Sequence, residues 1–351
     1  MKKYHLLAAV GFLFFAYLLF YPTPIDPVAW APAPNPGLAG RYAPNNYLGA
    51  VDYRYRGQCA QCEDIAVDSL GRIYGGASDG KAIRFDGDQR EVFAITNGRP
   101  LGLHFDHFGN LLVADAHKGL LLVDSLGKVK VLATEQGGRP FRFTDDLEIG
   151  PDGTVYFSDA SWKFGVEDYK LDLLEHRPNG RLLAYNPGDG TTRLLLDSLY
   201  FANGIAVDPQ GQYVLVNETG AYRVRRYWLS GPRKGQNDIL IDNLPGFPDG
   251  ISTGSDGIFW IAFTSIRTPL LEWVMPRPFF RKIITRLPSF MQPAPERYGF
   301  VLGINENGEV VYNLQDPAGK YAQIASVQEF DGKLYLGSLG ENGVGVVARP
   351  K

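Results

Sequence analysis

One phrase occurs six times along this chain, and it decides what the chain can fold into. Each copy is an apolar stretch, a turn closed by glycine, then an apolar or aromatic strand. The copies read IAVDSLGRIYGG from Ile65, LHFDHFGNLLVAD from Leu103, LEIGPDGTVYFSD from Leu147, IAVDPQGQYVLVNE from Ile205, ISTGSDGIFWIAF from Ile251 and VQEFDGKLYLGS from Val327. Units of roughly 40 residues holding several short strands are the mark of propeller blades, because one unit cannot bury both its faces alone. Within a unit, strand pairs alternate apolar and polar residues around Gly, Asp and Asn turns, as at 84–91 and 182–193. The reading is an all-β chain, a six-bladed β-propeller over 45–351, with the stretch 48–55 supplying the strand that closes the ring. The 41 glycines and 24 prolines among 351 residues agree with a turn-rich β protein.

The start of each blade's innermost strand faces the central channel, so residues in the same phase of the repeat converge there. Eight positions before the turn glycines Gly71, Gly109, Gly153, Gly211, Gly257 and Gly332 stand Glu63, Leu101, Asp145, Asn203, Asp249 and Ile324. Three carboxylates meeting on one axis repel unless a cation lies between them. The ligand atoms are all oxygens, with no His or Cys among them, which selects Ca2+ (or Mg2+) over zinc or copper, and a flexible carboxylate cage favours Ca2+. Asp, Asn and Gly at strand starts also make turns. That accounts for Asn203-Gly204 and Asp249-Gly250, but not for Glu63 or for the common phase.

A net charge of −3 gives no footprint for nucleic acid. The sequence also has no phosphate loop, zinc spacing or Gly-x-Ser-x-Gly elbow. Cys59 and Cys62 are the only cysteines. They fit a local disulfide that stiffens the loop carrying Glu63, since two cysteines do not make a zinc site.

Residues 1–22 form a separate module. Lys2 and Lys3 precede an apolar run from Leu6 to Tyr21, and a proline-rich linker follows over 23–44. As a helix the run reaches about 24–27 Å, just enough for a bilayer core. The basic flank sets an N-in orientation, with the propeller on the periplasmic or extracytoplasmic side. A cleaved signal peptide is the competing reading. Ala29-Trp30-Ala31 has the form of a cleavage site, but Pro32 follows it.

Four segments, RPLGLHFD…LLVADAHKGLLLVD (99–122), FTDDLEIGPDGTVYFSD (143–159), ANGIAVDPQGQYVLVNETGAYRVRRYWL (202–229) and LPGFPDGISTGSDGIFWI (244–261), occur in order. Together they resemble the strictosidine synthase-like branch of the gluconolactonase/paraoxonase superfamily. The resemblance covers nearly the whole propeller. It implies six blades and a catalytic Ca2+ held by Glu63, Asn203 and Asp249, with Asp145 standing where many members carry Asn. It speaks against alkaloid synthesis: the plant synthases use a glutamate near the start of the last blade, where this chain has Ile324-Ala325-Ser326.

The chemistry such a site suits is hydrolysis of a lactone or ester. The metal would polarise the carbonyl while a carboxylate activates water. Asp249 is the expected base or nucleophile, because the matching aspartate serves such roles in related hydrolases. His117 is the alternative, and His104, off the repeat phase, is expected to pack between blades. The longest interval between repeats holds an insertion at 266–295, whose second part reads as a short basic amphipathic helix. A lid, a membrane-contact element and an ordinary surface helix all remain open for it. Two other functional classes also stay open. One is a non-hydrolytic binding propeller with structural Ca2+; the other is a C–N bond-forming synthase.

Overall fold

The computed structural model describes Lys2–Lys351. Six four-stranded antiparallel sheets surround one axis. Their innermost strands are, from blade one to blade six, Ile65–Val67, Pro100–Phe105, Thr144–Ile149, Ala202–Val207, Gly246–Thr253 and Ile324–Phe330. The fold expectation holds, including the closure. Asp52–Arg54 pairs with Val344–Ala348 in the register Asp52↔Val346 and Arg54↔Val344, so the outermost strand of blade six comes from the opposite end of the chain.

The apolar phrase is continuous because both faces of every sheet are covered. In the second strand of blade two, Leu111 and Val113 pack with Tyr74 and Ala82 of blade one. Their neighbours Leu112 and Ala114 pack with Leu147 and Phe157 of blade three. A two-residue period thus serves two interfaces at once. The same split recurs in blade five: Phe259 and Ile261 face blade four, while Trp260 and Ala262 face blade six.

Turn chemistry fixes the hairpins. The Asp68 carboxylate accepts the backbone N–H groups of Leu70 and Arg72 at 3.0 and 2.9 Å. Asp106 does the same for Phe108 and Asn110 at 2.9 and 2.8 Å. The six turn glycines all lie at φ between +68° and +82°, a conformation that costs glycine nothing. The acids that end three of the phrases have a separate duty. Asp115 accepts from Arg99 N at 2.9 Å, Asp159 from Phe143 N at 2.9 Å and Glu218 from Tyr200 N at 3.0 Å. Each pins the entry to the innermost strand of its own blade, which sets the height of the phase residue.

Residues 23–44 are laid along the propeller as a strap rather than hanging as a free linker. Ile25 and Tyr42 are buried. Trp30 stacks on His176 at 3.8 Å between ring centroids, and the fully buried Arg281 donates to the backbone oxygens of Val28 and Leu174. The strap crosses two additions to the blades. One is the helix Tyr169–Glu175, between the second and third strands of blade three. The other is the insertion in blade five, which folds as two helices, Pro269–Val274 and Pro278–Ile284, followed by a short turn at Ser289–Met291. Ile25, Leu174, Val274 and Ile284 share one small core that binds strap, helix and insertion together. The apolar N-terminus is a helix over Lys2–Phe20, long and apolar enough to cross a membrane.

Candidate metal and active site

The phase residues reach the channel because the strand ladders break where they stand. Pairing is interrupted between Thr144 and Leu147, between Ala202 and Ile205, and between Pro248 and Ile251. A bulge frees a residue from the ladder and re-aims its side chain. Here the freed residues are Asp145, Asn203 and Asp249. Glu63 lies just ahead of the first paired residue of blade one, Ile65. All four line one cavity of about 550 Å³ at the end of the channel. The remaining phase positions, Leu101 and Ile324, are buried apolar residues.

Asp145 and Asp249 are almost fully buried, at 3% and 4% exposure, and so is Asn203 at 5%. Asn203 donates its side-chain amide to Asp249 Oδ1. The Asp249 backbone is held from the next blade: Asn217 Nδ2 donates to its carbonyl at 2.6 Å, and the Thr219 hydroxyl donates to the Pro248 carbonyl at 2.6 Å. Glu63 pairs with Arg99 at 3.2 Å. Burial, then the charges of Glu63 and Asp249, push the Asp145 carboxyl well above the ordinary carboxylate range. Burial and Glu63 raise Asp249 in the same way, with the Asn203 bond opposing them. Burial also raises Glu63, less so because Arg99 stabilises its charge.

Among the described residues, no three His, Cys, Asp or Glu side chains already form a metal-binding group. Glu63 is drawn to Arg99, and Asn203 turns its nitrogen, not its oxygen, toward Asp249. The donor set nonetheless fits a hard cation. Asp145 Oδ2 and Asp249 Oδ2 are buried without a hydrogen-bond partner among the described residues. Two buried carboxylate oxygens with no protein donor are suited to a proton or a cation. A half-turn of the Asn203 amide exchanges nitrogen for an oxygen of the same shape.

A second set of acids lies one residue further on, which the phase count overlooked. Asp64 accepts from Ile65 N at 2.8 Å and from Leu103 N of blade two at 2.7 Å. Asp146 accepts from Leu147 N and from Ile205 N of blade four, both at 2.8 Å. These carboxylates stitch neighbouring innermost strands together. The doubled acids Glu63-Asp64 and Asp145-Asp146 were the available signal. Elsewhere in this layer only small residues fit. A Cβ on Gly204 would lie 2.3 Å from Ile251 N, and one on Gly250 would lie 2.4 Å from Ala325 O. As expected, His104 packs between blades, paired with Glu148 of blade three at 3.1 Å.

Above the acids the walls are apolar: Phe143, Phe201, Phe247, Leu271, Met275 and Ile284. The helix Tyr169–Glu175 contributes Tyr169, whose phenol is raised by burial and then by the charges of Asp249 and Glu63. The repeat pattern gave no signal for it. His117 also lines the cavity, but it bonds Glu167 at 2.8 Å and is 42% exposed, at the rim rather than among the acids.

Comparison with known proteins agrees with this architecture. Residues 145–232 match the strictosidine synthase family, and residues 40–85 match the N-terminal part of strictosidine synthase-like proteins. The chain is 34% identical to the adipocyte plasma membrane-associated protein of Bos taurus, over 92% of this chain and 84% of that protein. It is 32% identical to strictosidine synthase-like protein 13 of Arabidopsis thaliana, over 97% of this chain and 93% of that one. In fold it is similar to a gluconolactonase from Xanthomonas campestris, with a TM-score of 0.62, 13% identity, and coverage of 84% of this chain and 88% of that one. The calcium-binding protein regucalcin from Agrobacterium tumefaciens gives 0.59 at 14% identity, covering 82% and 90%. At these identities over nearly the whole of both chains, the chain belongs to the strictosidine synthase-like family.

Proposed function

We propose that this protein is a membrane-anchored, Ca2+-dependent hydrolase of lactones or esters. The observation that carries the reading is the pair of orphaned, buried carboxylate oxygens on Asp145 and Asp249, set in a cavity whose lining also includes a cluster of apolar side chains. Glu63, Asp145, Asn203 and Asp249 would hold the ion. When bound, Ca2+ would polarise the substrate carbonyl and stabilise the charge that develops on its oxygen.

The residues of the chain supply the rest. The apolar walls take the acyl or aryl part of the substrate and exclude bulk water, which strengthens every polar interaction below them. Asp249, its backbone held by Asn217 and its neighbour Pro248 by Thr219, accepts the proton of the attacking water and returns it to the leaving oxygen. Tyr169, which lines the same cavity, would keep its own proton and steady that leaving oxygen by a hydrogen bond. Blade six offers buried Ile324 where a synthase-type carboxylate would be needed, so the hydrolytic reading is preferred. The helix Lys2–Phe20 serves as the anchor, N-terminus inside, with the propeller beyond the membrane.

The test is hydrolysis of a panel of aryl esters and lactones by the full chain, with Ca2+ and after chelation. Turnover that disappears on chelation and returns with Ca2+ supports the reading. No calcium-dependent turnover across the panel would favour a propeller that only binds its ligand.

A further inference from the structure

The insertion in blade five is apolar on two sides. Its inner side gives Leu271, Met275 and Ile284 to the cavity wall. Its outer side exposes Leu270, Trp273, Phe279, Phe280, Phe290 and Met291, between 40% and 85% accessible. A helical element with two apolar sides needs an apolar partner for each. The outer aromatics form one patch: Trp273 lies 4.8 Å from Phe280 between ring centroids, and the Arg277 guanidinium covers Trp273 at 4.6 Å. The segment's charges are mostly basic: Arg277, Lys282 and Arg286, besides the buried Arg281, stand against the single acid Glu272, which is itself paired with Arg267.

The patch is bolted to the end of the apolar N-terminal helix. Arg286 donates to the Leu18 carbonyl at 2.8 Å, and the Thr285 and Thr23 hydroxyls are bonded at 2.8 Å. That helix ends at Phe20. A helix spanning a bilayer ends at its polar boundary, so whatever grips its last turn sits at interfacial depth. Aromatic rings with flanking Arg and Lys are the residues that boundary favours.

We propose that residues 269–291 form a platform immersed in the lipid headgroup–acyl boundary of the leaflet where the anchor ends. The inner side of the same platform walls the cavity, which places the candidate active site against the bilayer and suits it to esters or lactones dissolved there. This rests on the reading of Lys2–Phe20 as a membrane anchor, and the test separates the two. The full chain is reconstituted in phosphatidylcholine vesicles with and without lipids brominated near the headgroup, and tryptophan emission is recorded for wild type and Trp273→Phe. The platform predicts that bromolipid quenches the wild type and that Trp273→Phe loses most of this quenching. Adding Phe279→Trp to that variant restores it. Equal quenching in wild type and Trp273→Phe, or none in a protein that floats with the vesicles, overturns the platform and leaves the anchor standing. A wild-type chain that fails to float with the vesicles overturns the anchor and the platform together.

Discussion

The side-chain amide of Asn203 donates to Asp249 on the next blade, while the other oxygen of that carboxylate is buried without a partner among the described residues. One oxygen is thus positioned and the other is available. In the proposed mechanism this division lets Asp249 both hold a metal and move a proton.

On the proposed mechanism, Asp249→Ala should remove both tasks and abolish hydrolysis. Asp249→Asn keeps an oxygen ligand of similar shape, so it retains part of the Ca2+ affinity while losing roughly 10²-fold or more in kcat. His117→Ala, acting at the rim, costs less than about tenfold. Steady-state kinetics of the three variants check the ranking. The reverse order, with His117→Ala dead and Asp249→Asn near wild type, would move the base to the histidine.

Asp145→Asn shifts the balance between apo and loaded states. The Asp145 carboxyl is raised above its ordinary 3.8 in the fold, so in the Ca2+-free protein the folded state holds a proton that the unfolded chain gives up as pH rises above that value. The penalty grows with pH until the folded group itself ionises. Without Ca2+ the variant should melt higher than wild type at pH 7.5, with the gap closing toward pH 4. Its Ca2+ affinity should fall about tenfold, or about 1.4 kcal/mol. Melting curves with and without chelator decide the sign.

The inner layer tolerates no added methyl group. Gly204→Ala drives a Cβ to 2.3 Å from Ile251 N and 2.4 Å from Asp249 O. The predicted cost is about 2 kcal/mol or more, together with loss of Ca2+ binding through displacement of Asp249. Denaturant unfolding and a metal titration on the same variant measure both.

How much of this was legible in the sequence follows from what the repeat could report. Glu63, Asp145, Asn203 and Asp249 were found because a repeat fixes phase, and the bulges keep that phase at the channel. Closure by the strand before the first phrase was legible for the same reason: one blade was short of a strand. The stitching acids Asp64 and Asp146 were visible as doubled acids, but their partners Leu103 and Ile205 belong to other blades, and a local pattern does not name them. Tyr169 sits in an insertion with no counterpart in the other blades. Proline-rich composition marks 23–44 as a linker but does not report the buried Arg281 that grips Val28 and lays it down as a strap.

Acid should loosen the strap. Burial, with Arg281 and Arg223 nearby, lowers the His176 imidazole from 6.5 to about 3, so the ring between Trp30 and Tyr200 is neutral. Below pH 6.5 the unfolded chain takes up a proton that the folded ring refuses, and stability is lost as pH falls toward about 3. The loss is about 1.4 kcal/mol per pH unit across that window. His176→Phe keeps an aromatic ring and removes the proton site. Its melting temperature should fall less steeply between pH 6.5 and pH 5 than that of wild type, whatever its absolute value.

Residues sharing one phase of a six-fold repeat are proposed to make a single calcium site. Calorimetric titration of Ca2+ into the chelator-stripped full chain, wild type beside Asp249→Ala, tests it most directly. The account predicts one ion per chain in the wild type and no measurable binding in the variant. Proton release should accompany wild-type binding, because Asp145 and Asp249 must ionise to hold the metal. Equal binding in both proteins, or none in the wild type, would contradict it.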